Sequence, residues 1–379
     1  MDFDFNDDQD MLRDSVRRWV ERGYSFERRH GIAKAGGASA EAWQEIADLG
    51  ILGLQIPEAD GGLGLGAVEA MVVQEELGRG LVSEPFAAVA LVATSLLAAS
   101  SSSSAALWLQ GIAEGKERVV LAHEERRSRY RLGHVETTAT NSGGTWRLNG
   151  TKIVVPGGGQ AGAFIVSARV SGDADDASGV GLFLVSTGEA GVEVRPYPTQ
   201  DGASAADLVL SNASGVELLP AGEAFAVLER AVDIGIAALC AEAVGVMDAL
   251  VALTVEYMNT RKQFGVAIAS FQALRHRMAD VKMQLELARS MSYFATLKLA
   301  EPAEARRRAL AQAKVQLGHS MRFVGQQCIQ LHGGIGVTDE YAASHYFKRL
   351  TVMEMTFGDT LFQLGEVSKR MQDSAGVFA

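Results

Sequence analysis

The sequence predicts an α+β protein, mainly α, in which a helical N-terminal domain and a C-terminal four-helix bundle flank a small middle β-barrel or sandwich. Up to about residue 117, apolar residues recur at helical spacing. Short strand-like runs with turn residues between them then fill 118–220. Long amphipathic helical patterns return from residue 221. We therefore expect three domains, at residues 1–117, 118–220 and 221–379.

The N-terminal domain reads as helices joined by glycine-rich turns. In DQDMLRDSVRRWVERG the apolar residues have helical spacing, and we expect Asp8 to cap the start and Gly23 to mark the end. Two more helices are predicted in SAEAWQEIADLGILGL and GAVEAMVVQEELGRG, with the turn IPEADGGLGLG between them. The run LVSEPFAAVALVATSLLAAS comes closest to a membrane span, but its Glu84-Pro85 and its Ala/Ser content favour a buried helix.

The middle and C-terminal domains differ in the spacing of their apolar residues, which is strand-like in the first and helical in the second. Strands are predicted in RVVLAH, GHVETTATNSGGTWRLNGTKIVV, GAFIVSARV, GVGLFLVS and GVEVRPYPTQ, with hairpin-type turns at NSGG and LNG. Long helices are predicted over 221–258, 270–299, 302–331 and 340–373. The segment RKQFGVAIASFQ, residues 261–272, connects the first of these helices to the second.

Composition and charge exclude several classes of function. A net charge of −11 over 379 residues argues against general affinity for nucleic acid or anionic membranes. Cys240 and Cys328 fall in apolar helical patterns and are expected to be core thiols, with no disulfide framework and no metal-ligand spacing. The acidic N-terminus lacks the apolar core of a signal peptide. We therefore expect a bacterial-type cytoplasmic enzyme with no membrane span.

Two motifs carry residues that suit a dinucleotide. RKQFG follows the first helix of the bundle, and IQLHGGIGVT follows the third. Arg261 offers a planar fork for a phosphate, and Phe264 offers an aromatic face. Glycines let backbone approach a ligand closely, and glutamines offer amide donors and acceptors. The glycines of the two motifs are Gly265, Gly333 and Gly334, and the glutamines are Gln272 and Gln330. The alternative is a pair of helix–helix turns with glycine C-caps.

With GLQIPEADGGLG and WRLNGTKIVV, these motifs make the chain resemble the acyl-CoA dehydrogenase family over essentially its whole length. The resemblance implies FAD-dependent α,β-dehydrogenation of an acyl-CoA thioester, in fatty acid or dicarboxylate degradation, with electron-transfer flavoprotein as electron acceptor. It assigns FAD contacts to Arg261, Gln263, Phe264, Gln272, Gln330, Gly333, Gly334 and Thr360.

Neither position that the family uses for its catalytic base holds a carboxylate in this chain. In the family a carboxylate removes the α-proton, usually the Glu of a Tyr-Glu-Gly-Thr stretch. Here the stretch is FGDT, with Gly358 at the Glu position and Thr360 retained. The other base position of the family, on the first C-terminal helix, holds Gly235. Asp359 is one residue away and one methylene shorter, and it either substitutes as the base or caps the segment.

The remaining departures affect the half-site that holds a chain's own flavin ring and thioester. His123 takes the place of a Thr, Val154-Val155-Pro156 replaces a Trp-x-Thr run, and Ile236 replaces an Arg. The retained residues are those that a family subunit lends to its neighbour's FAD. The chain therefore most resembles the small subunit of heteromeric enzymes of the pimeloyl-CoA dehydrogenase type, paired with a large subunit in a dimer or tetramer.

Two alternatives stay open. One is a self-sufficient homo-oligomeric dehydrogenase with Asp359 as base, and the other is a flavin oxygenase on the same fold, which needs no α-base. The cluster Arg126, Arg127, Arg129 and Arg131 either binds CoA phosphates or a substrate carboxylate, or forms a solvated or inter-subunit face. His332 either contacts cofactor or has a structural role, and His345 is expected to pack between helices.

Overall fold

The computed structural model describes residues 4–371, of which helices form the larger part, 57% of the chain. The chain divides into two compact units. The first comprises Met1–Arg29, Ala67–Val82 and Ile236–Ala379, and the second comprises His30–Gly66 and Ser83–Gly235. The mainly α composition with a strand-rich middle region is thus confirmed, while the division into three domains stays a prediction.

The α-helices cluster at the two ends of the chain. They are α1 Asp7–Gly23, α2 Phe26–Lys34, α3 Ala40–Asp48, α4 Ala67–Arg79, α5 Thr94–Ala98, α6 Ser103–Ala113, α7 Ala224–Thr260, α8 Gln272–Lys298, α9 Ala303–His332, α10 Ala342–Met355 and α11 Thr360–Met371. A π-helical turn, Ala87–Ala93, leads into α5 and is buried together with it, as predicted for that apolar run.

The first helix begins earlier than the sequence predicted. Asn6, not Asp8, is the N-cap, because its side chain accepts a hydrogen bond from Gln9 N–H while the Gln9 side chain accepts from Asn6 N–H. This reciprocal capping box satisfies two backbone donors that a helix start leaves open. The predicted end at Gly23 is correct.

Helix α7 forms the buried core of the C-terminal helices. In the first unit it crosses α4 so closely that a Cβ on Gly245 would overlap the carbonyl oxygen of Glu75, and one on Gly78 would overlap that of Glu242. The same helix is long and apolar enough to cross a membrane, but 78% of its most apolar window is buried inside the protein. Burial of this kind is what a core helix of a globular protein requires.

The strands lie almost entirely in the second unit. They are β1 Val119–Ala122, β2 Thr138–Ser142, β3 Thr145–Pro156, β4 Ala163–Arg169, β5 Val180–Ser186, β6 Val192–Pro198, β7 Ser204–Leu219, β8 Lys262–Gln263 and β9 Val266–Ala267. Pairing runs β4-β2-β3-β7-β5 and returns from β5 to β4, so five strands close a ring. Of the two architectures predicted for this region, the closed pairing is that of a barrel.

One of the two predicted hairpin turns is wrong. The NSGG turn joins β2 to β3 through Gly143 and Gly144, both at positive φ, as expected. The LNG segment instead lies inside β3, where the pairing with β7 shifts register between Leu148 and Asn149. A Cβ on Gly150 would collide with Thr137, so this glycine permits close approach of backbone and makes no turn.

The last predicted helix, 340–373, is also wrong as a continuous element. It is divided into α10 and α11 by residues 356–359, and positions 372–373 lie outside the described residues. Phe357 and Gly358 both have positive φ, 57° and 100°, which an α-helix does not accommodate. The break contains Phe357, Gly358 and Asp359 of the FGDT stretch, and Thr360 begins α11.

Candidate functional site

The segment after α7 is a small β-hairpin. Arg261 directly follows the helix, and strands β8 and β9 pair across the two-residue turn Phe264-Gly265, with φ values of 55° and 83°. Positive φ at both central residues is the signature of a type I′ turn, which matches the twist of paired strands. The alternative of a glycine-capped helix–helix turn is therefore wrong for this motif. The hairpin holds Phe264 in a left-handed conformation that a phenylalanine rarely adopts.

A shared apolar cluster brings the two motifs together. Met258 at the end of α7, Ile268 after the hairpin and Leu331 at the end of α9 are buried against one another. Leu274 and Met278 of α8 pack on the same cluster. The sequence separation between the motifs is thus closed by packing within the C-terminal helices, and RKQFG and QLHGG share one support.

The polar groups of both motifs face away from this support. The side chains of Arg261, Gln272 and Gln330 are exposed and make no hydrogen bond or ion pair with any residue between 4 and 371. Phe264 is 91% exposed, although its ring meets that of Phe271 edge-on at 6.1 Å. Of the candidate glutamine contacts, Gln263 alone has an engaged amide within residues 4–371, and it donates to the neighbouring Lys262 carbonyl at 3.0 Å.

The glycines leave the same surface open. A Cβ built on Gly265, Gly333 or Gly334 would meet nothing within 4 Å. Unengaged donors, an uncovered aromatic ring and open backbone form a surface that fits a phosphate-bearing, planar-ring cofactor. These residues therefore pass the chemical test for a flavin dinucleotide, with the ligand expected on the outward side of the cluster.

His332 lies beneath this surface. Its ring is buried between Tyr257 and Tyr341, at centroid distances of 4.7 and 5.2 Å. Nδ1 lies 2.8 Å from the Cys328 carbonyl oxygen, and burial lowers the pKa of the ring. These contacts give His332 a structural role at the end of α9. His345 is buried in a helix interface as expected, with Nδ1 2.7 Å from Arg29 Nη1.

The FGDT stretch leads from the break into α11, which begins at Thr360. Asp359 Oδ1 accepts the N–H of Phe362 at 2.8 Å, so this carboxylate is the N-cap of the helix. Thr360 is buried, and both its N–H and its hydroxyl donate to Glu354 Oε1, at 3.1 and 2.7 Å. Within residues 4–371, no hydrogen bond or ion pair joins Asp359 or Thr360 to the two dinucleotide motifs.

Both usual base positions hold glycines, and at Gly358 the structure requires one. At Gly358, φ is 100° and a Cβ would lie 2.5 Å from the ring of Phe362. Gly235 is buried within α7, near the buried Asp233. A glutamate at position 358 would therefore strain the backbone and collide with α11.

Sequence reasoning missed the lysine that supports this turn. Lys314 is buried in α9 and donates to the carbonyls of Met353 and Glu354, at 2.9 and 2.8 Å, which closes the end of α10. Burial lowers the pKa of Lys314 to about 8 and raises that of nearby Cys240 to about 12. The sequence did contain a signal for this residue, because a lysine within the apolar stripe of a helix must find hydrogen-bond acceptors when it is buried.

In the middle region, polar groups lie beside His123 and Val154, two of the positions where the chain departs from the family pattern. Burial lowers the pKa of His123 to about 4 and raises that of Glu124 to about 7. Val154, at a φ of 52°, donates its N–H to Asp207, which also accepts from the hydroxyl of Tyr197. Sequence analysis identified His123 and Val154 but gave no signal for the other three.

Comparisons with known proteins agree with this geometry. Family descriptions of the acyl-CoA dehydrogenase N-terminal, middle and C-terminal domains match residues 6–116, 121–213 and 222–372. The chain is 26% identical over 377 residues to an acryloyl-CoA reductase (NADH) of Anaerotignum propionicum, covering 94% of this chain and 93% of that protein.

Two solved structures are similar over almost their full length. A variant of the Tcur3481-Tcur3483 steroid ACAD matches with a TM-score of 0.88 and 28% identity, covering 97% of this chain and 98% of that one. The ChsE4-ChsE5 complex from Mycobacterium tuberculosis matches with a TM-score of 0.88 and 26% identity, covering 99% and 100%. The chain therefore belongs to the acyl-CoA dehydrogenase family, whose members are FAD-binding oxidoreductases that act on the CH–CH bond of acyl-CoA.

Proposed function

We propose that this chain is the small subunit of a heteromeric acyl-CoA dehydrogenase and lends FAD contacts to a catalytic large subunit. One observation carries the proposal. Two motifs rest on one apolar cluster, while the side chains of Arg261, Gln272 and Gln330 stay exposed and unused by the described chain. Residues that serve their own chain's packing have partners within it, whereas residues kept for a ligand are free to reach it.

Each residue of the motifs has a role in holding the cofactor. Arg261 binds a phosphate through its guanidinium fork, and Phe264 covers an aromatic portion. Gln263, Gln272 and Gln330 supply amide contacts, and Gly333 and Gly334 let the backbone approach. FAD, when bound, accepts the hydride that leaves the β-carbon of the thioester. Thr360, whose hydroxyl donates to Glu354, remains a proposed FAD contact at the start of α11.

The α-proton is removed by a carboxylate of the large subunit. Two features support this assignment: Gly358 has a backbone that disfavours a side chain, and Asp359 already uses one oxygen as a helix cap. The departures from the family pattern in the middle region support it as well. Pro156 has no N–H to offer, and the exposed Val154 is held by Asp207 in a strained conformation.

The names of the two solved relatives favour a heteromeric assembly. Each names two chains, Tcur3481-Tcur3483 and ChsE4-ChsE5. We extend this arrangement to the present chain, as a dimer or tetramer with a large subunit of the pimeloyl-CoA dehydrogenase type. The substrate is then an acyl-CoA, and electron-transfer flavoprotein accepts the electrons.

A second candidate is a self-sufficient homo-oligomer in which Asp359 is the base. It is favoured by one observation: within residues 4–371, only Oδ1 of this carboxylate has a hydrogen-bond partner, so Oδ2 remains available to accept a proton. Its capping role and its position one residue from the usual base make this the weaker candidate.

The proposal is tested by flavin loading of the assembled complex. We expect Arg261→Ala to lower FAD affinity about ten- to more than a hundredfold, since a charge-assisted contact contributes on the order of 1.5–3 kcal/mol. Arg277→Ala, an exposed arginine of α8 outside the motifs, is the matched control and should keep its flavin. Equal flavin content in the two variant assemblies would contradict the role given to Arg261.

A further inference from the structure

An arginine-rich loop follows strand β1, and the function proposed above assigns it no role. This basic loop, Glu125–Glu136, carries four arginines within six positions of a chain whose net charge is −11. Clusters of exposed arginines are commonly solvated and mobile. Two properties would distinguish a binding loop from such a cluster. Its backbone would be anchored, and some of its arginines would lack an acidic partner among residues 4–371.

A buried carboxylate holds both ends of the basic loop. Glu125 begins the loop, and its side chain accepts the N–H groups of Glu136 and Thr137 at 2.7 and 3.0 Å. The same carboxylate pairs at 2.6 Å with Lys152, which is fully buried. Burial alone would raise the pKa of Glu125, but Lys152 and the Thr137 N–H lower it, so the group stays ionised. The base of the loop is therefore firmly anchored.

The inside of the loop is fixed as well. The Ser128 hydroxyl accepts from Glu125 N–H at 3.0 Å and donates to the Glu125 carbonyl at 2.9 Å. Arg131 N–H then donates to the Ser128 carbonyl at 2.9 Å. Between these bonds Arg129 has a φ of 49°, a left-handed conformation that is sparsely populated for arginine.

Two of the four arginines are balanced by acids. Arg127 Nη1 lies 3.3 Å from Glu136 Oε1, and Arg131 Nη1 lies 3.0 Å from Asp175 Oδ1. His134, nine-tenths buried, connects these pairs, because its Nδ1 lies 2.8 Å from the same Asp175 oxygen and its Nε2 lies 3.9 Å from Glu136 Oε1. Alternating charges thus orient the flanks of the basic loop.

The other two arginines have no such balance. Arg126 and Arg129 are exposed, and neither makes a hydrogen bond through its side chain or an ion pair with any residue described between 4 and 371. Two uncompensated guanidinium groups therefore project from one anchored loop. Arginine forks on an anchored backbone favour an anion with several acceptor oxygens, and a phosphate group is such an anion.

We propose that the basic loop binds the phosphate groups of a nucleotide through Arg126 and Arg129. Two sources share this chemistry: the 3′-phosphate of the CoA moiety, which the proposed function supplies, and the diphosphate of a free adenine nucleotide. Only the first source rests on the proposed function. The loop backbone is anchored before the ligand arrives, so ordering on binding is confined to the arginine side chains.

The test is titration calorimetry of the full chain, purified alone, with CoA, 3′-dephospho-CoA and ADP. The variant is Arg126→Ala combined with Arg129→Gly, since glycine accepts the positive φ at position 129 without strain. The matched control is Arg195→Ala, an exposed arginine on β6 paired with Glu193. We expect the double variant to bind at least tenfold more weakly than the wild type, and the control to bind as the wild type does. Raising salt from about 0.05 M to about 0.5 M should weaken wild-type binding, since it shortens the screening length.

The ligand series identifies the source. Tighter binding of CoA than of 3′-dephospho-CoA supports the 3′-phosphate, and equal binding of all three compounds supports the diphosphate. Three results overturn the proposal: no binding of any compound at millimolar concentration, unchanged affinity in the double variant, or an equal loss in Arg195→Ala. Because this titration uses the chain without flavin or large subunit, its failure would be separate from failure of the flavin-loading experiment.

Discussion

The Asp359 side chain determines how the last helix starts, and its capping bond gives two substitutions different outcomes. Asp359→Ala removes the acceptor for Phe362 N–H and should lower the free energy of unfolding by about 1 kcal/mol. Asp359→Asn keeps a capping oxygen and should leave stability almost unchanged.

The same pair of variants tests catalysis. Because we assign the base to the large subunit, we expect the complex containing Asp359→Asn to keep nearly full dehydrogenase activity. A general base that cannot accept a proton costs about 10²–10⁴-fold in rate. A loss of that size in a flavin-loaded, correctly assembled Asp359→Asn complex, measured by acyl-CoA-dependent electron transfer, would make Asp359 catalytic.

Glu124 predicts a pH dependence of stability. Burial raises its pKa from 4.5 to about 7, so the folded state binds more protons than the unfolded state between these values, and stability falls as pH rises through that window. We expect Glu124→Gln to gain about 2 kcal/mol over wild type on going from pH 5 to pH 8, after allowance for partial exposure of the carboxylate.

The measurement is urea unfolding of the variant and the wild type at both pH values. Comparing the two proteins cancels the opposite contribution of His123, which is common to both. Glu189→Gln, an exposed glutamate in the turn after β5, is the control and should show no such gain. A constant difference between Glu124→Gln and wild type at pH 5 and pH 8 would show that Glu124 is not desolvated in solution.

At the scale of single elements, the sequence predicted the helices better than the turns. Helical spacing identified α1, α4, α7, α8 and α9 because one apolar face persists over many turns. The break at Phe357-Gly358 and the I′ turn at Phe264-Gly265 were not readable, since phenylalanine gives no signal for positive φ. The LNG segment gave the wrong prediction because Asn-Gly usually marks a turn. Here Gly150 lies within the long strand β3, and its missing side chain lets Thr137 pack against the strand.

The crossing of α4 and α7 gives a prediction with an internal control. A methyl group at Gly245 would overlap the Glu75 carbonyl oxygen, so Gly245→Ala must separate two packed helices. We expect a loss of about 3 kcal/mol in the free energy of unfolding, the upper range for overpacking. Gly365→Ala, in an exposed turn of α11 where a Cβ meets nothing, should instead stabilise by about 0.5–1 kcal/mol. Similar effects of the two substitutions in urea unfolding would contradict this view of the crossing.

At the scale of the whole molecule, the family and the candidate cofactor motifs could be predicted from the sequence, because Arg261, Phe264 and Gly333 stand in recognisable runs. Their convergence on one apolar cluster could not, since it depends on packing between helices distant in sequence. The same holds for the basic loop: its arginines were visible, but the buried Glu125–Lys152 pair that anchors it was not.

We propose that this chain presents FAD contacts to a partner subunit and does not form a complete flavin site by itself. The most direct measurement is the flavin content of the chain purified alone and of the chain purified with a large acyl-CoA dehydrogenase subunit, each read by flavin absorbance. We predict that the chain alone is free of FAD and inactive on acyl-CoA, and that the complex carries FAD and is active. Stoichiometric FAD and acyl-CoA oxidation in the chain purified alone would show instead that it forms a complete flavin site by itself.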